Sequence, residues 1–261
     1  MKIAPRSKRT SRAPQLASWR LQDLSWRQVQ KLVPAKVDTI ILPVGTVEAH
    51  GATCIGTDNY IPDSIAESIA PQIHALVAPI VNHGITRSLY SYPGATTVQP
   101  ETFKRYISEI LISFKDSGFR NVIILNGHGG NNSVLKDVAL EINHGTKLNI
   151  AVIHWWEMCD EVTKEFFGES GAHAGVDETA MVMAINPKLA YPAEYSADMI
   201  YTFGRGADVY PVPGTILNTK AGEGKPQFNA VKAKKYHALI CAKVAEFAKF
   251  VLKRWRDAGL G

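Results

Sequence analysis

The chain predicts an α/β fold with a mostly parallel sheet, and three observations carry that prediction. Short apolar runs of strand length alternate with longer segments of helical period. Polar clusters rich in His, Asp, Glu and Gly follow directly on several of the apolar runs, where ligands bind in open α/β sheets. No internal repeat, low-complexity tract or linker divides the 261 residues, so a single domain is expected over residues 21–261.

Taken in order, residues 21–33 have helical spacing, and Thr39–Val44 reads as a buried strand. Residues 59–76 predict a helix, with Ile61, Ile65, Ile69 and Ile73 four apart, and 78–81 a short strand. Residues 100–117 predict an amphipathic helix that starts at Pro100 and stops at Gly118. A second buried strand (122–125), a helix (131–142) and a third strand (148–154, running into Trp155-Trp156) follow. Residues 177–184 are apolar enough for a helix packed on the sheet. Residues 191–228 are punctuated by Gly and Pro and read as loops. Residues 230–256 close the chain as a long helix, with core positions expected at Ala238, Cys241, Val244, Phe247 and Val251.

The formal charge of +5 is concentrated at one end. Residues 1–20 hold six basic side chains (Lys2, Arg6, Lys8, Arg9, Arg12 and Arg20) and no acid, so they predict a flexible basic arm beside a nearly neutral remainder. No second basic face suggests nucleic acid. No run approaches a membrane span, and three separated cysteines without a CxxC pair argue for a reducing compartment. A soluble, cytoplasmic protein is the expectation.

Three clusters carry chemistry. Glu48-Ala49-His50 with nearby Asp58 follows the first strand, and mixed carboxylate and imidazole donors at that spacing suit a divalent metal. Asn126-Gly127-His128-Gly129-Gly130-Asn131 follows the second. A Gly-rich loop there can cradle phosphate, but this one has neither a P-loop lysine nor the dinucleotide spacing, which favours a metal with His128 projecting into the site. The third cluster, His173 to Thr179, places Glu178 in the first turn of a helix, where the dipole favours a carboxylate even in a purely structural role. Cys54 lies inside the first cluster and is a conceivable further ligand. His74, His83, His144 and His237 have no supporting neighbours.

With these pieces in register, the chain resembles the creatininase (creatinine amidohydrolase) family. The matching stretches run from Leu42 to Gly51, Gly56-Thr57-Asp58 and Tyr92 to Thr96, then Gly118-Phe119-Arg120, Asn126 to Asn131, His173-Ala174-Gly175 and Glu178-Thr179. The resemblance implies a three-layer α/β/α sandwich and two divalent metal ions per subunit, zinc, manganese or iron. It implies that Glu48, Asp58 and His128 hold one ion and that His50 and Asp58 hold the other, with Asp58 bridging. Creatininase adds a Glu two residues beyond the motif histidine. Gly130 stands there in this chain, and Glu178 is the natural replacement. The loop Ala52-Thr53-Cys54-Ile55 is one residue shorter than the family's and lacks its Pro-His, and Ala172 replaces an acid; both weaken the case for creatinine.

The resemblance further implies hydrolysis of a C–N bond, in an amide or cyclic amide of a small molecule, by a hydroxide that the two ions activate. His173 is the expected catalytic residue, moving a proton to the leaving nitrogen. Trp155 and Trp156 are expected to wall the substrate pocket, although core packing would explain them equally. Related members deformylate formamido-nucleobase intermediates, cleave a modified peptide or open inosose-type ring ketones. A non-catalytic nucleotide- or anion-binding protein is the alternative from another class. Homo-oligomers, hexamers among them, are also implied.

Overall fold

The structure, a computed structural model, describes Leu16 and residues 18–204 and 206–260. The basic arm expected over residues 1–20 falls largely outside the described residues. Within its described end, Arg20 forms a two-pronged ion pair with Asp63 (3.0 and 2.9 Å) and reaches Glu67 at 3.0 Å.

After a short helix, α1 (Trp26–Leu32), four parallel strands form the sheet: β1 (Thr39–Val44), β2 (Leu76–Val77), β3 (Asn121–Asn126) and β4 (Asn149–His154). Their order is β2-β1-β3-β4. Connections therefore leave β1 in opposite directions, and the crevice between the carboxyl ends of β1 and β3 is the position where such sheets bind ligands. The connecting helices are α2 (Thr57–Ile73), α3 (Pro100–Asp116) and α4 (Asn132–Thr146). Beyond β4 come α5 (Trp155–Met158), α6 (Asp160–Phe167) and α7 (Val176–Ile185). A small parallel pair, β5 (Ile200–Thr202) and β6 (Ile216–Asn218), precedes the long α8 (Ala230–Asp257).

Strand alternation builds the three layers. Ile41, Ile123, Leu125 and Ile153 face one side, where α2, α7 and α8 cover them. Ile40, Leu42, Val44, Val122 and Ile124 face the other, under α3 and α4. Because both faces are covered, β1 and β3 are apolar at nearly every position rather than at every second one. The fold is thus the three-layer α/β/α sandwich. Pro43 survives in a central strand because its missing N–H faces a gap: β2 has ended at Val77, and the next chain contact on that side is Val81 N–H to the Pro43 carbonyl, 3.0 Å.

Several expected boundaries move. The helix predicted to Leu76 ends at Ile73, His74 takes a left-handed conformation (φ 57°), and Leu76-Val77 pairs with β1. The strand predicted at 78–81 is therefore two residues earlier, and Val81 makes only an isolated bridge to Val44. Along α8 the buried stripe is Ala233, Tyr236, Ile240, Cys241, Val244, Ala245, Ala248 and Leu252. Cys241 and Val244 were expected there, whereas Ala238 is exposed and Phe247 and Val251 are only half-buried. Ala238 sits off the 3.6-residue stripe that meets α2 and α7. Residues 191–228 hold the β5–β6 pair and are not loop alone. No helix among the described residues is long and apolar enough to cross a membrane.

Candidate metal centre

Two strand ends and one helix start converge on a single point. After β1 the chain passes close to the first turn of α2: a Cβ on Gly45 would lie 2.3 Å from the Asp58 carbonyl, and one on Gly127 2.2 Å from it. Pro62 contributes to this closeness, because it has no N–H to offer the carbonyl four residues back. Asp58 is thereby wedged between the exits of β1 and β3. The turn after Glu48 is closed by hydrogen bonds to the His50 carbonyl from Thr53 N–H and Oγ1, both 2.8 Å.

Two groups share Asp58: Glu48, Asp58 and His128 form one, and His50, Asp58 and Glu178 the other; Glu48, His50 and His173 form a third, and in each the donor atoms lie within 4.8 Å of one another. His128 Nδ1 lies 2.8 Å from Asp58 Oδ2 and 3.3 Å from Glu48 Oε1. His50 Nε2 lies 2.8 Å from Asp58 Oδ1 and 3.6 Å from Glu178 Oε2. His173 Nδ1 stands 3.6 Å from Glu48 Oε1, and its ring centroid is 4.3 Å from that of His50. All five carboxylate and imidazole ligands of the two groups are buried.

The chemistry of this donor set fits divalent cations. A carbonyl oxygen only accepts, so a ring nitrogen facing one must donate. Nδ1 of His50 donates to the Glu48 carbonyl (3.0 Å), Nε2 of His128 to the Ile85 carbonyl (2.9 Å) and Nε2 of His173 to the Ala49 carbonyl (2.8 Å). Each remaining nitrogen faces the carboxylates, which is how backbone acceptors orient metal-binding histidines. Glu48 Oε2 is buried without a hydrogen-bond partner. Without a compensating charge, carboxylates within 4.8 Å repel by roughly 3 kcal/mol at an effective dielectric near 20.

The proton affinities follow the same crowding. Burial opposes a charged His128, but Glu48 and Asp58 outweigh it and push its pKa up to about 9; His50 is likewise raised, against burial, by Asp58 and Glu178. Asp58 is held below the usual carboxylate range, because its two histidines outweigh burial. Burial raises Glu48 and Glu178, and pushes Asp177 up to about 6. His173 goes the other way: burial and the His50 ring bring it down to about 3, so it is a neutral acceptor at pH 7.

The centre opens into a cavity of about 520 Å³. Trp156 lines it, but Trp155 does not: Trp155 is fully buried in the layer between the sheet and α8. Consecutive residues on α5 point about 100° apart, so one ring enters the core while the other faces the cavity. The expected pair of wall residues therefore reduces to one. Cys54 belongs to neither ligand group; its Sγ lies 3.9 Å from Thr57 Oγ1. His83 bonds Thr96 Oγ1 at 3.0 Å, and neither it nor His74, His144 or His237 belongs to a ligand group. Motif reading missed Ser88, Leu89, Gly171 and Leu217, which line the cavity and carry no sequence signature of it.

His173 and Glu178 arrive by a different route. His173 is bridged to β6 by a pair of backbone bonds with Leu217 (3.1 and 2.9 Å), and Glu178 Oε2 accepts from Ala174 N–H at 2.6 Å. Gly51 (φ +49°) packs against Ile216 of β6, where a Cβ would lie 2.5 Å from Cγ1.

Known proteins share this fold. The family model described as "Creatininase: Creatinine amidohydrolase" matches residues 22–249. The creatinine amidohydrolase of Pseudomonas putida is 26% identical over 224 residues, 76% of this chain and 86% of that protein. Among solved structures, a mutant creatininase of the Zn-Zn type superposes with a TM-score of 0.76 at 22% identity, covering 88% of this chain and 96% of that one. A manganese creatininase does so with a TM-score of 0.75 at 24% identity and the same coverage. With the family model spanning most of the chain and the fold shared throughout, this protein belongs to the creatininase family and is a hydrolase.

Proposed function

We propose that this protein hydrolyses a C–N bond, in an amide or cyclic amide of a small molecule, at a centre of two divalent cations. Glu48, Asp58 and His128 would hold one cation and His50, Asp58 and Glu178 the other. The single observation that supports this most is the shared Asp58 between two three-donor groups whose histidines are all oriented by backbone carbonyls. When bound, such cations lower the pKa of water toward neutrality and polarise a carbonyl.

The remaining steps fall to the chain itself. His173, neutral at pH 7 and with Nδ1 beside Glu48 Oε1, would take up the proton that the attacking water gives up and deliver it to the nitrogen as the C–N bond breaks. Its bond to the Ala49 carbonyl keeps Nδ1 as the reactive atom. Trp156 covers one wall of the cavity with an apolar surface. Gly130 adds no carboxylate, and a Cβ there would lie 2.1 Å from the Ile85 carbonyl, so Glu178 serves as the third ligand of the His50 group.

The nucleotide-binding alternative fits poorly. Glu48, Asp58, Glu157, Asp160, Asp177 and Glu178 line the cavity, and no Lys or Arg accompanies them among its described lining residues. Cyclic amides, formamides and inosose-type ketones should be screened with protein loaded with zinc, manganese or iron. Turnover of a cyclic amide or formamide that disappears on chelation supports the reading. Turnover of ring ketones alone overturns the C–N assignment, and a protein that binds no cation overturns the centre.

A further inference from the structure

The chemistry above uses only His128 of its glycine-rich loop and leaves the loop's asparagines unassigned. Asn131 is fully buried beneath that loop. Its Oδ1 accepts from Ile85 N–H at 3.0 Å, and its Nδ2 donates to the Gly45 carbonyl (3.2 Å) and to Asn126 Oδ1 (3.3 Å). Asn126 in turn accepts from His128 N–H (3.2 Å) and donates to the His128 carbonyl (2.8 Å). One amide thus touches the exit of β1, the base of the His128 loop and the residue whose carbonyl receives the His128 ring proton. Glycine is needed for this packing: a Cβ on Gly84 would lie 2.5 Å from both Asn131 Oδ1 and the Gly45 carbonyl.

We propose that Asn131 is the positioning residue of the Glu48–Asp58–His128 group, fixing Ile85 so that the imidazole of His128 presents Nδ1 and not Nε2 to a cation. The physical chain has two links. Ile85 N–H has Asn131 as its hydrogen-bond partner among the described residues, and the Ile85 carbonyl holds His128 Nε2–H. Removing the amide leaves a buried donor unsatisfied and frees that backbone to move, so the acceptor that selects the tautomer is lost. The His50–Asp58–Glu178 group has its own supports, the Glu48 carbonyl and Ala174 N–H, and among the described residues none of its three side chains hydrogen-bonds Asn131. The effect is therefore one-sided.

This inference rests on the two-cation reading, and zinc titration of metal-stripped, full-length protein separates the two. Wild type should take up two zinc ions; fewer than two overturns the two-cation reading, and this proposal with it. In Asn131→Ala one zinc should bind within about threefold of wild type and the other roughly 10- to 100-fold more weakly. Asn131→Asp keeps an acceptor for Ile85 N–H and should recover part of that loss, which also provides the comparison if the alanine variant does not fold. In a His128→Ala background, adding Asn131→Ala should leave the remaining site unchanged. Two unchanged sites in Asn131→Ala would overturn the proposal. Equal weakening of both sites, or further loss in the His128→Ala background, would reduce Asn131 to a general structural role and overturn it as well.

Discussion

The two sides of the centre are built from the same donor types but by different means. Glu48, Asp58 and His128 leave the parallel sheet or the helix wedged against it; all three are buried, and Asn131 ties the exit of β1 to the base of the His128 loop. His173 instead enters from a loop that leans on β6, a three-residue strand laddered with the equally short β5, and Glu178 follows it in the first turn of α7. One side is fixed by the core of the sandwich. His173 leans on a small peripheral ladder whose β5 residues are all partly exposed.

The contrast can be broken from its shared member outward. Asp58→Asn should have the largest effect, because Asp58 serves both groups: zinc content by elemental analysis should fall from two per chain toward zero. A variant that keeps one tight zinc would show that the groups do not share Asp58. His173→Ala comes next, with turnover about 10²- to 10⁴-fold lower while both zinc ions remain. Full activity would remove His173 from proton transfer.

A smaller and graded effect should appear with pH. His128, with its pKa near 9, and the raised His50 carry protons in the metal-free protein at pH 7 and must release them to bind a cation. Zinc affinity should therefore rise from pH 6 to about 9, by about tenfold per pH unit for each proton released, and then level off. Calorimetry in buffers of different ionisation enthalpy should detect the released protons. A flat profile would contradict the raised histidines. The smallest effect should come from the peripheral side. Asn218 is buried, accepts from Thr202 Oγ1 at 2.6 Å and donates to the Glu223 carbonyl at 2.9 Å. Asn218→Ala should cost about 1–3 kcal/mol locally. Amide exchange at Leu217 and His173 should quicken while β1 and β3 stay protected; equal loosening of the sheet would erase the distinction between the two sides.

Much of the first side was legible before folding was considered. Thr39–Val44 forms the strand expected of it, and Glu48, His50 and His128 follow strand ends because a parallel sheet must place its loops there. The second side was legible only as residue types. His173 and Glu178 stood out, but the support of His173 comes from Leu217, 44 positions away, whose role is a backbone bridge with no side-chain signature. The same limit separated Trp155 from Trp156 and shifted the buried stripe of α8, since helix phase relative to a neighbour is decided by packing. The strand predicted at 78–81 failed because Pro79 cannot donate to a ladder and the pairing moved to Leu76-Val77.

The sequence by itself determined the alternation of strands and helices, the candidate donor residues and their order, because period, glycine placement and donor chemistry are local properties. Only the tertiary structure decided which donors lie together, which ring nitrogen each histidine turns to the carboxylates, and that Glu178 meets His50 where Gly130 offers nothing. Those outcomes depend on backbone carbonyls of Glu48, Ile85 and Ala49 arriving from distant segments, and a carbonyl looks the same at every position in a sequence.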